Sequence, residues 1–296
     1  METFKQRTDL AFESREIANK DAGREVEGIE YTETILHGVQ CRKLRVVSKA
    51  GADNIGKPMG AYITLDISAL TRRESESFTE TVTAMAEILT ELAELKNKDL
   101  LVLVVGLGNR DITPDAIGPL TAESTLVTRH LKSQMPEDFA FFRPVSVISP
   151  GVLGTSGIES ADYIKAVCKS LSPDLIIAVD ALAAKSFDRL CRTVQITDTG
   201  ITPGSGVGNS RAQINKETMG VPVIAVGVPT VVDIRTVLAE YWGDSAASER
   251  GKNSDMIVTP RSIDSEVSNT SKLVAYAINL ALHKGITVED VDMLVG

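Results

Sequence analysis

The stretch Leu100–Asn109, LLVLVVGLGN, decides the architecture. Apolar residues run unbroken from Leu100 to Val105, and Gly106 and Gly108 close the run. A strand that shows water neither face reads this way, because it lies inside a sheet covered on both sides. On its N-terminal side, Phe78, Val82, Met85, Ile88, Leu89, Leu92 and Leu95 recur at intervals of three and four, which predicts an amphipathic helix within Glu74–Lys96. On its C-terminal side the alternation continues. A helical stretch near Leu120–Ser133, a strand in Pro144–Ser149, a helix near Gly157–Lys169 and a buried strand Leu175–Val179 ending at Asp180 are expected.

Further strands are expected at Cys191–Thr197 and Pro222–Gly227, and helices near Val231–Trp242 and Lys272–Lys284. The whole predicts an α/β fold of three layers, α/β/α, around a mixed, largely parallel sheet. Short β-type runs at Lys43–Val47 and Ala61–Asp66, joined through Gly51, Gly56, Pro58 and Gly60, suggest a small antiparallel unit near 43–66. The first forty residues are polar with weak periodicity and read as a peripheral extension, and the segment near 243–256 reads as a polar surface loop. No internal repeat is evident, and a single domain is expected.

The bulk composition narrows the functions. With 43% hydrophobic and 24% charged residues in 296, the chain can bury a large core. A net charge of -9 repels phosphate backbones, so direct nucleic-acid binding is not expected. No signal sequence opens the chain and no apolar run approaches the ~18 residues of a membrane span, so an intracellular protein without a membrane partner is expected. Cys41, Cys168 and Cys191 are scattered and read as reduced, buried thiols. His37, His130 and His283 show no metal-ligand spacing, and neither a metal nor another cofactor is expected.

In open α/β sheets, ligands bind beyond the carboxyl ends of the strands. Two aspartates stand there: Asp115 in VVGLGNRDITPDAIGP and Asp180 in LIIAVDALAA. Each has an ordinary structural use, as a helix cap or a partner of loop amides. As a pair held near an apolar sheet edge they could not both ionise cheaply, so they would share a proton and could activate water. GLGNRD departs from the dinucleotide fingerprint, because Asp111 stands where the third glycine belongs and would repel a pyrophosphate. PGSGVGNSR lacks the Gly-Lys-Ser/Thr ending of a phosphate loop and reads as a crevice-lining segment. Ser149, Ser156 and Ser205 lack the nucleophile-elbow pattern, and His130 alone supplies no triad. Gly106, Asn109, Lys185, Gly204, Ser205 and Gly206 are candidates for the crevice lining. Amides of the Gly106–Asn109 turn or the Gly204–Gly208 loop are candidate oxyanion donors, and PGVLGTSG a candidate wall.

These blocks, with RTDLA, TPDAIGP, FRPVS, PGVLGTSGIE, ITPGSGVGN, GVPVIAVGVPTVVD and MIVTP, resemble in order the germination proteases of spore-forming bacteria. The resemblance covers nearly the whole chain. It implies an atypical aspartic-type endopeptidase, made in the cytoplasm of the developing spore as a zymogen and kept in the spore core. After losing a short propeptide it would degrade small acid-soluble spore proteins during germination, cutting after an acidic residue. The essential aspartates of the family match Asp115 and Asp180. Thr8-Asp9-Leu10-Ala11 is similar to the family's substrate motif, which implies a propeptide of residues 1–9 cut between Asp9 and Leu10 by the enzyme itself, and a homotetramer is implied as well. The fold is also similar to hydrogenase maturation endopeptidases, whose carboxylates surround nickel with a histidine that has no counterpart here. A metal-dependent maturation peptidase and a catalytically inactive binding protein are the alternatives. The region between Trp242 and Met256 is shorter than the insertion of longer germination proteases.

Overall fold

The computed structural model describes residues 7–71, 76–208, 211–243 and 256–295. Its strands are β1 (Ile29–Leu36), β2 (Val39–Val46), β3 (Gly60–Asp66), β4 (Val102–Gly106), β5 (Val145–Ile148), β6 (Leu175–Ala184), β7 (Thr193–Thr197), β8 (Val223–Asp233) and β9 (Ile257–Val258). They join one mixed sheet in the order β1-β2-β3-β7-β8-β6-β4-β5, with β9 on the end of β8. Strands β5, β4, β6 and β8 are mutually parallel. From β8 through β7, β3 and β2 to β1 every pairing is antiparallel. The antiparallel unit expected near 43–66 is therefore present as β2 and β3, extended by β1 and continuous with the main sheet through β7.

Alternation along the strands separates the two faces. Val102, Val104, Ile177, Val179, Ile224 and Val226 enter one cluster, packed under the helices Ser77–Leu92 and Ile263–Leu282. Leu103, Val105, Ile176, Ala178 and Val223 enter another, under the helix Ser160–Leu171. Each fully buried side chain of this kind contributes about 1.5–3 kcal/mol of transfer free energy. The second face is shared: over its antiparallel half Leu10, Ala11 and Phe12 pack with Leu44, Tyr62 and Leu182.

Four sequence expectations are corrected. The N-terminal region is no peripheral extension, since Leu10 and Ala11 are wholly buried and open a helix Ala11–Ala22. Only its first turn, Ala11 to Ser14, is buried. Only three adjacent residues, Leu10 to Phe12, supply its apolar packing, joined by polar contacts, so no apolar stripe along the helix announces it. The helix expected over Leu120–Ser133 is two, Ile117–Glu123 and Arg129–Gln134. Asn279 causes the break: its Oδ1 accepts Leu126 N–H at 2.9 Å and its Nδ2 donates to Ser124 O at 3.0 Å, replacing the helix's own bonds. The strand expected to end at Asp180 runs on to Ala184, because β8 continues to Asp233 and supplies a partner beyond that point. Asp180 is nevertheless at an edge as β4 sees it, one residue past the last β4–β6 pair, Gly106 with Val179. Finally, two strands of the antiparallel half begin away from the starts of their expected runs, with β2 starting earlier, at Val39, and β7 later, at Thr193. The loop expected near 243–256 lies, but for its ends, outside the described residues, as do residues 1–6 of the expected propeptide.

Candidate active site

The turn after β4 is folded around Asp115. Residues Thr113–Asp115 form one 3-10 turn, and the Asn109 N–H donates to Asp115 Oδ2 at 2.7 Å. Gly108, at φ 111°, is required there, because a Cβ would collide with Asp115 O. Two of the turn's amides are already engaged. Leu107 N–H donates to Val179 O at 2.8 Å, and Asn109 N–H holds the carboxylate, so neither is available to a substrate oxyanion. Gly106 closes β4, and its carbonyl accepts Ser149 Oγ at 3.1 Å.

Asp180 is buried and accepts the Ala181 N–H at 2.9 Å. Burial first, and the charge of Asp115 next, hold its carboxyl well above the usual carboxylate range. Asp115 is also raised by burial, less its bond from Asn109. Two carboxyls that each feel desolvation, one of which feels the other, cannot both be ionised without cost, so the pair retains a proton above the pH at which free aspartates lose theirs.

A cleft of about 700 Å³ lies near them, lined by Asp9, Lys57, Tyr62, Gln195, Ser205 and Gly227 among others; Asp115, Asp180, Gly106, Asn109, Gly204 and Gly206 are outside its lining. The chain's own N-terminal segment lies in it. Asp9 N–H donates to Ala183 O at 2.9 Å, and Ala183 N–H donates to Asp9 Oδ2 at 2.8 Å. Ser205 Oγ donates to Asp9 Oδ1. Gly206 packs so closely on Asp9 Oδ2 and Ala183 Cβ that any Cβ there would clash with both. The Asp9 carbonyl accepts Lys57 Nζ at 3.0 Å and Gln195 Nε2 at 3.3 Å. Just beyond, Gln195 Oε1 accepts Ala11 N–H at 2.7 Å. Buried Glu13 anchors the following turn by accepting Lys185 N–H at 2.7 Å, Ser186 N–H at 3.3 Å and Thr8 Oγ1.

The structure thus draws Asp9, Leu10, Ser205 and Gly206 to one place and Asp115, Asn109 and Gly106 to the adjoining sheet edge. The charge of Asp9 reaches Asp180 and helps to raise it. Gly204 begins the one-turn 3-10 element Ser205–Val207 that carries Ser205 and Gly206. Lys185 does not line the cleft, and its part is a backbone bond to Glu13, because β6 carries it past the site as strand rather than as helix. The PGVLGTSG segment is likewise outside the cleft lining. Lys57, Gln195 and Glu13 escaped the sequence reading. Lys57 sits unremarkably in a Gly/Pro turn, but Gln195 carried a signal, as the one amide in a strand with no exposed position. Among the described residues no three His, Cys, Asp or Glu side chains stand close enough together to hold a metal ion. No helix among them is long and apolar enough to cross a membrane.

A mixed α/β sheet with two buried carboxyls near the carboxyl ends of its parallel strands, and the chain's own N-terminal segment in a cleft close by, is a frame that suits an α/β peptidase. The model of the germination proteases matches residues 6–241, and the chain belongs to that family, the proteases of spore germination. It is 40% identical to the germination protease of Clostridium perfringens over 98% of each chain. It is 46% identical to that of Bacillus subtilis over 79% of this chain and 65% of the other. Among solved structures, the [NiFe] hydrogenase maturation protease HycI from Thermococcus kodakarensis KOD1 aligns with a TM-score of 0.36 and 16% identity, over 64% of this chain and 98% of that one. That likeness is too distant to bear on the site.

Proposed function

We propose that this chain is the zymogen of an aspartic-type endopeptidase that removes its own residues 1–9 and then degrades small acid-soluble spore proteins, with Asp115 and Asp180 sharing a proton to activate water. The observation that carries the reading is the seat of Asp9, bonded in both directions to Ala183 of the strand that holds Asp180. An acidic side chain is gripped there and the bond to Leu10 follows, with Leu10 wholly buried. One backbone bond and one side-chain bond thus tie the residue before Leu10 to the strand that carries Asp180.

The asymmetry of the carboxyls suggests their roles. Asp180, the more strongly raised, keeps the shared proton and acts as acid; Asp115, steadied as a carboxylate by the Asn109 amide, takes a proton from water. A homotetramer and a place in the cytoplasm of the developing spore and then in the spore core complete the proposal. Its test is to incubate the activated protein with a purified small acid-soluble spore protein and identify the products by mass spectrometry. Cuts after acidic residues are expected. An intact spore protein, or cuts without regard to acidic residues, would contradict it.

A further inference from the structure

The Asp9 carbonyl is the one most elaborately held in the cleft. Lys57 Nζ lies 3.1 Å from Thr8 O and 3.0 Å from Asp9 O, so an ammonium bridges two successive carbonyls. Gln195 spans the Asp9–Leu10 bond: its Nε2 donates to the carbonyl before it, and its Oε1 accepts the N–H of Ala11 one residue after it. In the sheet, Gln195 pairs with Gly227 and Gly227 with Asp180. Two strand spacings therefore separate Asp180 from Gln195, about 10 Å. The residue between them has no side chain. The side chain of Leu182 packs over Gly227 in that gap, and Asp180 feels the charge of Asp9 from beside it.

We propose that Lys57 and Gln195 bind the carbonyl oxygen of the bond being cut and stabilise the negative charge that develops on it. The proposal rests on cleavage at Asp9–Leu10 and adds two catalytic residues to it. In the step, water oxygen bonds to the Asp9 carbonyl carbon while one water proton passes to the ionised carboxyl. The C=O electron pair moves onto oxygen, facing Lys57 and Gln195. The pair returns as the C–N bond breaks, and the Leu10 nitrogen leaves with the proton held by the other carboxyl, so the dyad again holds one proton. Preorganised donors aimed at such an oxygen are commonly the largest electrostatic contribution to catalysis. The surroundings of Lys57 suit it to this role, since burial works against its charge and the carboxylates of Asp9 and Glu13 sustain it. Of the amides near Asp115, that of Leu107 is spent on Val179 O and that of Asn109 on the Asp115 carboxylate.

The test uses the full chain and follows self-cleavage by intact mass, beside a thermal melt. Lys57→Met and Gln195→Met each keep side-chain length and remove the donor. Each is expected to slow the appearance of the Leu10 terminus about 100-fold with the melting temperature close to that of the unaltered chain. Lys57→Arg restores a cation and is expected to recover at least about a tenth of the lost rate. Cleavage at the normal rate in either methionine variant overturns the proposal. So does slowing that Lys57→Arg leaves unrelieved, which would mark a packing role. An unaltered chain that never breaks the Asp9–Leu10 bond overturns the cleavage reading itself, a result distinct from both.

Discussion

The two ends of the parallel strands bury polar groups in opposite ways. At the amino end Arg143, which precedes β5, is almost wholly buried, and its guanidinium donates to the carbonyls of Leu95, Asn97 and Leu282. His283 lies beside it, stacked edge-on against Phe142 at 5.2 Å between ring centroids. At the carboxyl end Asp115 and Asp180 each keep a single backbone N–H as hydrogen-bond partner. Desolvation acts on both clusters. For Arg143 it is answered by fixed carbonyls that clamp the chain, while both ring nitrogens of His283 lack a hydrogen-bond partner and the imidazole is held neutral; at the carboxyl end most lone pairs are unmatched on two groups that carry charge when ionised. A buried group answered bond for bond holds structure, and buried carboxyls left partly unanswered are the ones whose protons are proposed to move.

The largest expected effects lie at the carboxyl end. Asp115→Asn and Asp180→Asn should each lower turnover of a spore-protein peptide at least about ten-thousand-fold, because a proton-sharing pair acts as one unit. Asp180→Asn should also raise the melting temperature at pH 7. Its raised folded pKa means that stability is highest below the unfolded value and lost as pH rises through the folded one, so the variant's advantage vanishes on acidification. Retained turnover in either variant would dissolve the contrast between the two ends. At the amino end the reverse pattern is expected. Arg143→Met, leaving three carbonyls without their donor, should cost about 3–5 kcal/mol in a denaturant melt, while turnover per folded molecule stays unchanged.

His283 gives a smaller and pH-dependent effect. Burial, then the neighbouring Arg143 cation, hold its pKa down to about 4, from an ordinary 6.5. The unfolded chain therefore binds more protons between those values, and the contribution of His283 to stability is full above about pH 6.5 and falls as pH drops toward 4, by up to about 3 kcal/mol. Melts of the His283→Phe variant should lose that slope; an unchanged slope would assign the acid sensitivity elsewhere. The smallest expected effect is none at all. Extended dialysis against a strong chelator should leave turnover as it was, and activity that disappears and returns with an added metal would favour a metallopeptidase.

Much of the fold is written in short-range pattern. The run Leu100–Val105 and the stripe from Phe78 to Leu92 declare a two-faced buried strand and its covering helix, since side-chain period alone fixes which face is apolar. The positions of the candidates Asp180, at the end of the run Leu175–Val179, and Asp115, in the loop after the run Leu100–Val105, are legible from the same pattern. What the pattern does not carry is pairing at a distance. The extension of β6 to Ala184 depends on β8, the break after Glu123 depends on Asn279, and the burial of Leu10 depends on Leu44, Tyr62 and Leu182. Lys57 has no local mark at all, because its meaning comes only from the Asp9 carbonyl it reaches across the fold.

The central claim is that the carboxyl-end pair cuts the segment lying beside it. Intact-mass analysis with N-terminal sequencing, on the unaltered chain and on a pure Asp180→Asn preparation under the same activating conditions, tests this most directly. The account predicts that the unaltered chain loses residues 1–9 and begins at Leu10, while the Asp180→Asn chain keeps its full mass. A mature chain that begins elsewhere, or normal maturation of the Asp180→Asn chain, would contradict it.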